Sequence, residues 1–263
     1  MANVVITGST RGIGLGMAEE FRRLGHSVVI SSRGEAAVQA ASMAVKAMPG
    51  SGEVIGIACD VGDRDAVQRL WDGAAKALGR IDIWINNAGL TGPKRDVSVL
   101  TDAEIAPVIS ANIWGMIYGT QIPYAGMSAQ GSGKIFNFEG FGSDGMTAPG
   151  LTVYGFTKRA LTYFTKSVNK EIKGSPVLLG TISPGIVTTD LLEESKDEDP
   201  ARWEKTKRMY NILADHVETV APFIVGKVLA ADKPGTAIRW LTTGKAARRF
   251  LAQPFVKRKV MPD

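Results

Sequence analysis

Short apolar runs alternate with helix-length amphipathic stretches along most of this chain. That rhythm constrains the fold more than any other feature. Val4–Ile6, Ser27–Ser31, Val54–Ala58, Ile81–Ile85, Lys134–Phe138 and Val177–Ile182 read as strands. Amphipathic stretches lie between them at about 13–32 (the helix itself ending near Leu24), 34–48, 63–79, 101–129 and 151–173. Strict alternation means right-handed βαβ units and a parallel sheet. The strands are continuous Val/Ile runs, as a sheet covered by helices on both faces requires. The expectation is an α/β chain with a doubly wound parallel sheet.

Helix ends carry chemical marks. Thr101-Asp102-Ala103-Glu104 is a capping box. Gly25 and Gly79 stand just past helical stretches, where a left-handed residue is wanted. Gly115 and Gly119 weaken the 101–129 stretch and predict a break near Asn112. Further helices are expected at about 201–215 and 217–230, then a strand at Ala237–Leu241. Neither a linker nor an internal repeat interrupts the chain, so residues 1–263 read as one domain with an elaborated C-terminal third.

Composition removes several function classes. Cys59 is the sole cysteine and only His26 and His216 represent histidine, so a disulfide framework, a zinc site or a histidine triad has almost no material. No apolar run approaches the roughly 18 residues that span a bilayer. The chain goes straight from Met1-Ala2-Asn3 into the first strand, and a cytoplasmic setting is the expectation. The net charge is +5, but seven basic residues against one acid lie in 239–263. The excess is a basic tail (243–263), not a basic groove, so no nucleic-acid partner is expected.

The first strand runs into Thr7-Gly8-Ser9-Thr10-Arg11-Gly12-Ile13-Gly14, and a helix follows. Gly8 permits a turn that a Cβ would obstruct, Gly12 admits a pyrophosphate close to the backbone, and Gly14 lets the helix lie tight on the sheet. Free N–H groups and the helix dipole favour an anion there. The second strand ends Ser31-Ser32-Arg33 with no acid to hold ribose hydroxyls; Glu35 is the first one after it. Arg33, assisted by Arg11, suits a 2′-phosphate, which favours NADP(H) over NAD.

Further along, Asp60-Val61 follows the third strand, Asn86-Asn87-Ala88-Gly89 ends the fourth, Tyr154-Gly155-Phe156-Thr157-Lys158 opens a helix, and Pro184-Gly185-Ile186-Val187-Thr188 follows the sixth strand. Together with the glycine turn, these motifs resemble the short-chain dehydrogenase/reductase family, in order and spacing, from residue 3 to about 190. The resemblance implies a Rossmann-type fold. It also implies a nucleotide site formed by Gly8, Ser9, Arg11, Gly12, Ile13, Gly14, Arg33, Asp60, Val61, Asn87, Ala88, Gly89, Tyr154, Lys158, Pro184, Gly185, Ile186 and Thr188. Tyr154 and Lys158 are four apart and share a helix face. A free phenol titrates near ~10, and an adjacent ammonium lowers that value. The resemblance makes Tyr154 the proton donor in carbonyl reduction and Asn112 the residue that positions a relay water.

The family's catalytic serine is missing. Counting from Gly133 its position is Gly140, and counting back from Tyr154 it is Phe141. Ser143 is the nearest hydroxyl and the candidate replacement; the alternative is that it caps a turn with Asp144. The segment Asn137-Phe138-Glu139-Gly140-Phe141-Gly142-Ser143-Asp144-Gly145, with Ser183 to Leu192, resembles the chlorophyll b reductase branch. That resemblance implies NADPH-dependent reduction of a formyl group on a chlorin ring. The rival readings are a 3-oxoacyl or small-ketone reductase and a non-catalytic NADP(H)-binding sensor.

Residues 190–216 carry Leu191, Leu192, Trp203, Met209, Tyr210, Ile212 and Leu213. They read either as core packing or as an apolar lid over a bulky hydrophobic carbonyl substrate. The basic, partly apolar tail suits either an anionic membrane surface or packing against a subunit. Leu161, Phe164 and Val168 give the 151–173 helix apolar positions on more than one side. Family members pair through this helix, so a homodimer or homotetramer is expected.

Overall fold

The computed structural model describes residues 1–189, 200–253, 255–256 and 258–261. Seven parallel strands form the central sheet: β1 (Asn3–Thr7), β2 (Ser27–Ser31), β3 (Val54–Gly56), β4 (Ile83–Asn86), β5 (Gly133–Phe138), β6 (Val177–Ser183) and, late in the chain, Ala237–Arg239. The order in space is β3-β2-β1-β4-β5-β6, closed by Ala237–Arg239 at the far edge. Two short strands, β7 (Val187–Thr188) and β8 (Asp215–His216), pair beside the main sheet, which makes the edge strand β9. This is the doubly wound Rossmann-type sheet that the alternation predicts.

Successive residues of each strand point to opposite faces, and both faces are covered. Val4, Ile6, Val28, Ile30, Ile85 and Phe136 pack on α1 (Gly12–Arg23) and the late helix Val217–Ala230. On the other face Val5, Val29, Trp84, Ile135 and Leu179 meet α3 (Arg64–Leu78) and the helix Gly115–Gln130. Each fully buried Val, Ile or Leu contributes roughly 1.5–3 kcal/mol. Helix α2 (Glu35–Ala47) flanks β2 and β3.

The 101–129 stretch does not break near Asn112 as expected: its backbone stays helical from Asp102 to Gln130, with a π-helical turn in the middle. Helix α4 (Asp102–Ile109) starts at the capping box, where the Glu104 carboxylate accepts from both the N–H and the hydroxyl of Thr101 at 2.9 Å. A π-helical turn, Ser110–Trp114, then leads into α5 (Gly115–Gln130). The extra residue in that turn places Asn112 against the loop after β4. Helix α6 (Thr152–Glu171) follows β5 and carries Tyr154 and Lys158.

Of the expected lid, residues 190–199, with Leu191 and Leu192, lie outside the described residues, as does the side chain of Trp203. Its remainder is helix α7 (Pro200–Leu213), followed by α8 (Val217–Ala230) and α9 (Thr243–Ala252). The basic tail is partly folded onto this region. Arg249 and Arg258 both reach the Asp215 carboxylate, at 2.8 and 2.6 Å. Asn211 Oδ1 accepts the N–H groups of Val260 and Met261, and Met261 is buried. Phe250, Leu251, Phe255 and Val256 remain exposed. No helix among the described residues is long and apolar enough to cross a membrane.

Candidate active site

The strand order reverses between β1 and β4, and ligands of doubly wound sheets bind outside the carboxyl ends of strands at such a point. A cavity of about 550 Å³ opens there. It runs from the glycine turn, past the loops after β4, β5 and β6, to α7, which contributes Thr206, Met209 and Tyr210.

The turn is built to leave backbone room. Gly8 has φ +64°, and a Cβ there would stand 2.7 Å from the Ala88 backbone. A Cβ on Gly14 would meet the Gly8 carbonyl at 2.4 Å. Thr7 fastens this turn to the β4 loop: its hydroxyl accepts the N–H groups of Asn87 and Ala88 at 3.1 Å, while Asn87 Nδ2 donates to the carbonyls of Thr7 and Gly8. Arg11 caps α1 with no side-chain hydrogen bond, and the first turn contains no acid. The helix N-terminus is therefore free to meet an anion. Arg11, Gly12, Ile13, Arg33, Asp60, Val61, Asn87, Ala88, Gly89, Pro184, Gly185 and Ile186 all line the cavity. A narrow glycine cradle, an N-terminal helix turn and two exposed arginines are what a dinucleotide diphosphate needs, so the residues present fit the group.

Tyr154 and Lys158 line the opposite end. Lys158 is buried, and its Nζ donates to the Phe138 carbonyl at 2.9 Å and lies 5.8 Å from the Tyr154 ring centre. The Tyr154 hydroxyl approaches the Gly140 backbone so closely that a Cβ on Gly140 would lie 2.3 Å from it. Burial pushes the phenol up to about 12 and draws the Lys158 ammonium down to about 8, with Glu139 opposing the latter shift. At neutral pH Tyr154 thus holds its proton, and Lys158 is mostly charged.

Several expected residues take other positions. The Ser9 hydroxyl is fully buried, donating to the Ile6 carbonyl at 2.6 Å and accepting the Ser31 N–H at 3.0 Å, so it ties β1 to β2 and does not line the cavity. Ser143 is buried beneath its turn, accepting the Gly140 N–H at 3.1 Å and donating to the Lys158 carbonyl at 3.3 Å. It supports the loop from behind and is not on the cavity wall. Thr188 turns toward His216, 3.1 Å from Nδ1, and its neighbour Thr189 faces the cavity instead. Asn112 spends its amide on both backbone groups of Leu90 at 2.8 Å and on the Thr157 hydroxyl at 2.9 Å. It clamps the β4 loop to α6. A separate cavity of about 10 Å³ lies between Asn112 and Lys158, roughly the room for one water.

Thr10, Glu139 and Leu151 also line the cavity, and residue spacing alone did not single them out; Phe141, which the count back from Tyr154 reached, lines it too. Cys59 reaches the wall too, but burial, with the nearby Asp60 and Asp63 carboxylates, pushes its thiol up to about 12, which leaves it unreactive.

Fold and site together define a Rossmann-type oxidoreductase. The short chain dehydrogenase family model matches residues 2–200, and the chain belongs to that family. It is 38% identical over 261 residues to a chloroplastic chlorophyll(ide) b reductase of Oryza sativa subsp. japonica, covering 95% of this chain and 74% of that one. It is also 38% identical over 256 residues to a probable chlorophyll(ide) b reductase of Arabidopsis thaliana, covering 91% of this chain. The chain spans half the length of that relative. Among solved structures, levodione reductase shares the fold with a TM-score of 0.82 at 23% identity, over 93% of this chain and 97% of that one.

Proposed function

We propose that this protein is an NADPH-dependent carbonyl reductase acting on the formyl group of a bulky hydrophobic substrate of the chlorophyll(ide) b type. The observation that carries the reading is the Tyr154 hydroxyl. It has no protein partner among the described residues and stands on the wall of a cavity that begins at a glycine cradle, with Lys158 behind it. A nucleotide-binding sensor needs no such phenol. The likeness to chlorophyll(ide) b reductases supports the substrate class.

Gly8, Gly12 and the α1 N-terminus would hold the diphosphate, Arg11 and Arg33 the 2′-phosphate, Asp60 and Val61 the adenine, and Pro184 to Ile186 the nicotinamide end. NADPH, when bound, supplies the hydride that the carbonyl carbon takes up. Tyr154 donates its proton to the carbonyl oxygen, giving the alcohol. Lys158 stabilises the phenolate left behind. Asn112, beside the small cavity next to Lys158, lies on the route by which that proton is restored. The wall formed by Gly140, Phe141, Ala148 and Leu151, with Met209 and Tyr210 from α7, presents apolar and small groups to the substrate.

We also propose that the chain self-associates through α6 and the start of α5. Phe156 and Tyr163, seven residues apart on one helix face, are exposed, and so is Trp114. Light scattering of the purified protein reads the mass directly, and a monomer would reject this. The activity itself is tested by incubating the protein with NADPH and chlorophyllide b, and with NADH in parallel. Formation of the hydroxymethyl product with NADPH is expected; an unchanged pigment would reject the substrate class.

A further inference from the structure

The chemistry above uses Tyr154 and Lys158, but a third ionisable group is built into the same wall. Glu139 follows the last residue of β5, lines the cavity and is only 8% exposed. Its backbone N–H closes the sheet on the Ile182 carbonyl at 2.7 Å, which fixes its place. Its carboxylate has no hydrogen-bond partner among the described residues. The residues on either side of it bracket the proton-handling pair: the Phe138 carbonyl accepts from Lys158 Nζ, and the Gly140 backbone abuts both the Tyr154 hydroxyl and Lys158 Cε. A buried lysine satisfied by a single neutral carbonyl is costly to keep charged.

Resting on the carbonyl-reductase reading, we propose that Glu139 is a positioning residue that keeps the Lys158 side chain in its ammonium form from a fixed place on the cavity wall. It acts through the field of its carboxylate, since Lys158 Nζ bonds to Phe138 and not to Glu139. The other charges around the cavity are arranged so that this task falls to Glu139. Lys94, from the loop after β4, carries the same sign as Lys158, and the Tyr154 phenol is neutral at working pH. Arg11, Arg33 and Asp60 belong to the nucleotide end, and Tyr210 comes from α7. Arg159, the next residue on α6, donates to the Ser143 carbonyl at 3.0 Å. Desolvation works against the Lys158 charge and Glu139 works for it, which brings its midpoint to about 8.

The test uses the full chain without nucleotide. Lysine side-chain 15N resonances are followed against pH, with Lys158→Met as the assignment control. The wild-type Lys158 midpoint near 8 should fall by roughly one pH unit in Glu139→Gln and stay close to wild type in Glu139→Asp. A midpoint that Glu139→Gln leaves in place overturns the proposal. Should Glu139→Gln not fold, Glu139→Ala is read in the same way: its Lys158 midpoint should also fall, and an unmoved midpoint overturns the proposal. In turnover, the alkaline loss of NADPH-dependent reduction should move to lower pH in Glu139→Gln, in step with the midpoint. An enzyme that reduces no formyl substrate would defeat the carbonyl-reductase reading while leaving the 15N result to decide the role of Glu139.

Discussion

The Tyr154 hydroxyl and the Gly140 backbone are in such close approach that a β-carbon on residue 140 would stand 2.3 Å from the phenolic oxygen. Glycine at 140 therefore sets where the proton donor sits. Installing the serine of the wider family, Gly140→Ser, has to push the phenol aside. A displacement of about an ångström at a reacting group costs on the order of a hundredfold in rate. The variant should fold, bind NADPH and lose most of its turnover. A rate equal to or above wild type in a steady-state assay would show that Tyr154 has freedom this packing denies it.

Arg33 is exposed at the nucleotide end of the cavity, and no acid stands at the end of β2. Arg33→Ala should weaken NADPH binding roughly tenfold, the scale of one charge-assisted contact at a wet site, and leave NADH nearly untouched. Fluorescence titration with both nucleotides checks this. Parallel losses would mean that Arg33 does not read the phosphate.

Reduction should fail at alkaline pH. Lys158, drawn down to about 8 by burial, supports the phenolate only while it is an ammonium. Turnover should hold on the neutral side and fall as pH rises past that value. A profile flat to pH 10 would remove Lys158 from the proton chemistry.

Asp215 gathers the C-terminal region: it accepts from Trp240 Nε1 at 2.6 Å and pairs with Arg249 and Arg258. Burial raises its pKa, but these three partners outweigh that and hold the carboxyl below its ordinary value. Its contribution to stability is thus fully present above the unfolded carboxylate value of ~3.9 and is lost as pH falls through the depressed folded value. Asp215→Asn leaves two arginines without their charge partner and should cost about 3 kcal/mol, or roughly 6–12 °C in Tm. Calorimetry at pH 7 measures it. The difference from wild type should shrink in strong acid; a difference that grows there would contradict the assignment.

Much of this was readable before the fold was known, because the signals were local. Short Val/Ile runs bounded by turn residues read as strands buried on both faces. Glycines at 8, 12 and 14 between a strand and a helix leave little besides an anion-binding turn. Tyr154 and Lys158 share a face because they are four residues apart on a helix. What escaped depends on a direction that composition does not encode. Thr188 and Thr189 are chemically alike, yet pairing of Val187 and Thr188 with Asp215 and His216 turns one away and the other in. Ser143 offered the right hydroxyl, but the Gly140 N–H and the Lys158 carbonyl hold it behind the loop. Ser9 stands among the glycines of a ligand turn and serves β1 and β2 instead. Glu139 entered the sequence reading only as part of the segment around the missing serine; its burial on the cavity wall is supplied by the fold.

In the proposed mechanism the Tyr154 phenol supplies the proton to the reduced oxygen. Tyr154→Phe removes that one atom and keeps the ring. With formyl substrate and NADPH premixed in excess, wild type should oxidise the nucleotide steadily. Tyr154→Phe should bind NADPH with unchanged affinity and turn over at least ~100-fold more slowly. Turnover within a few-fold of wild type would contradict the account.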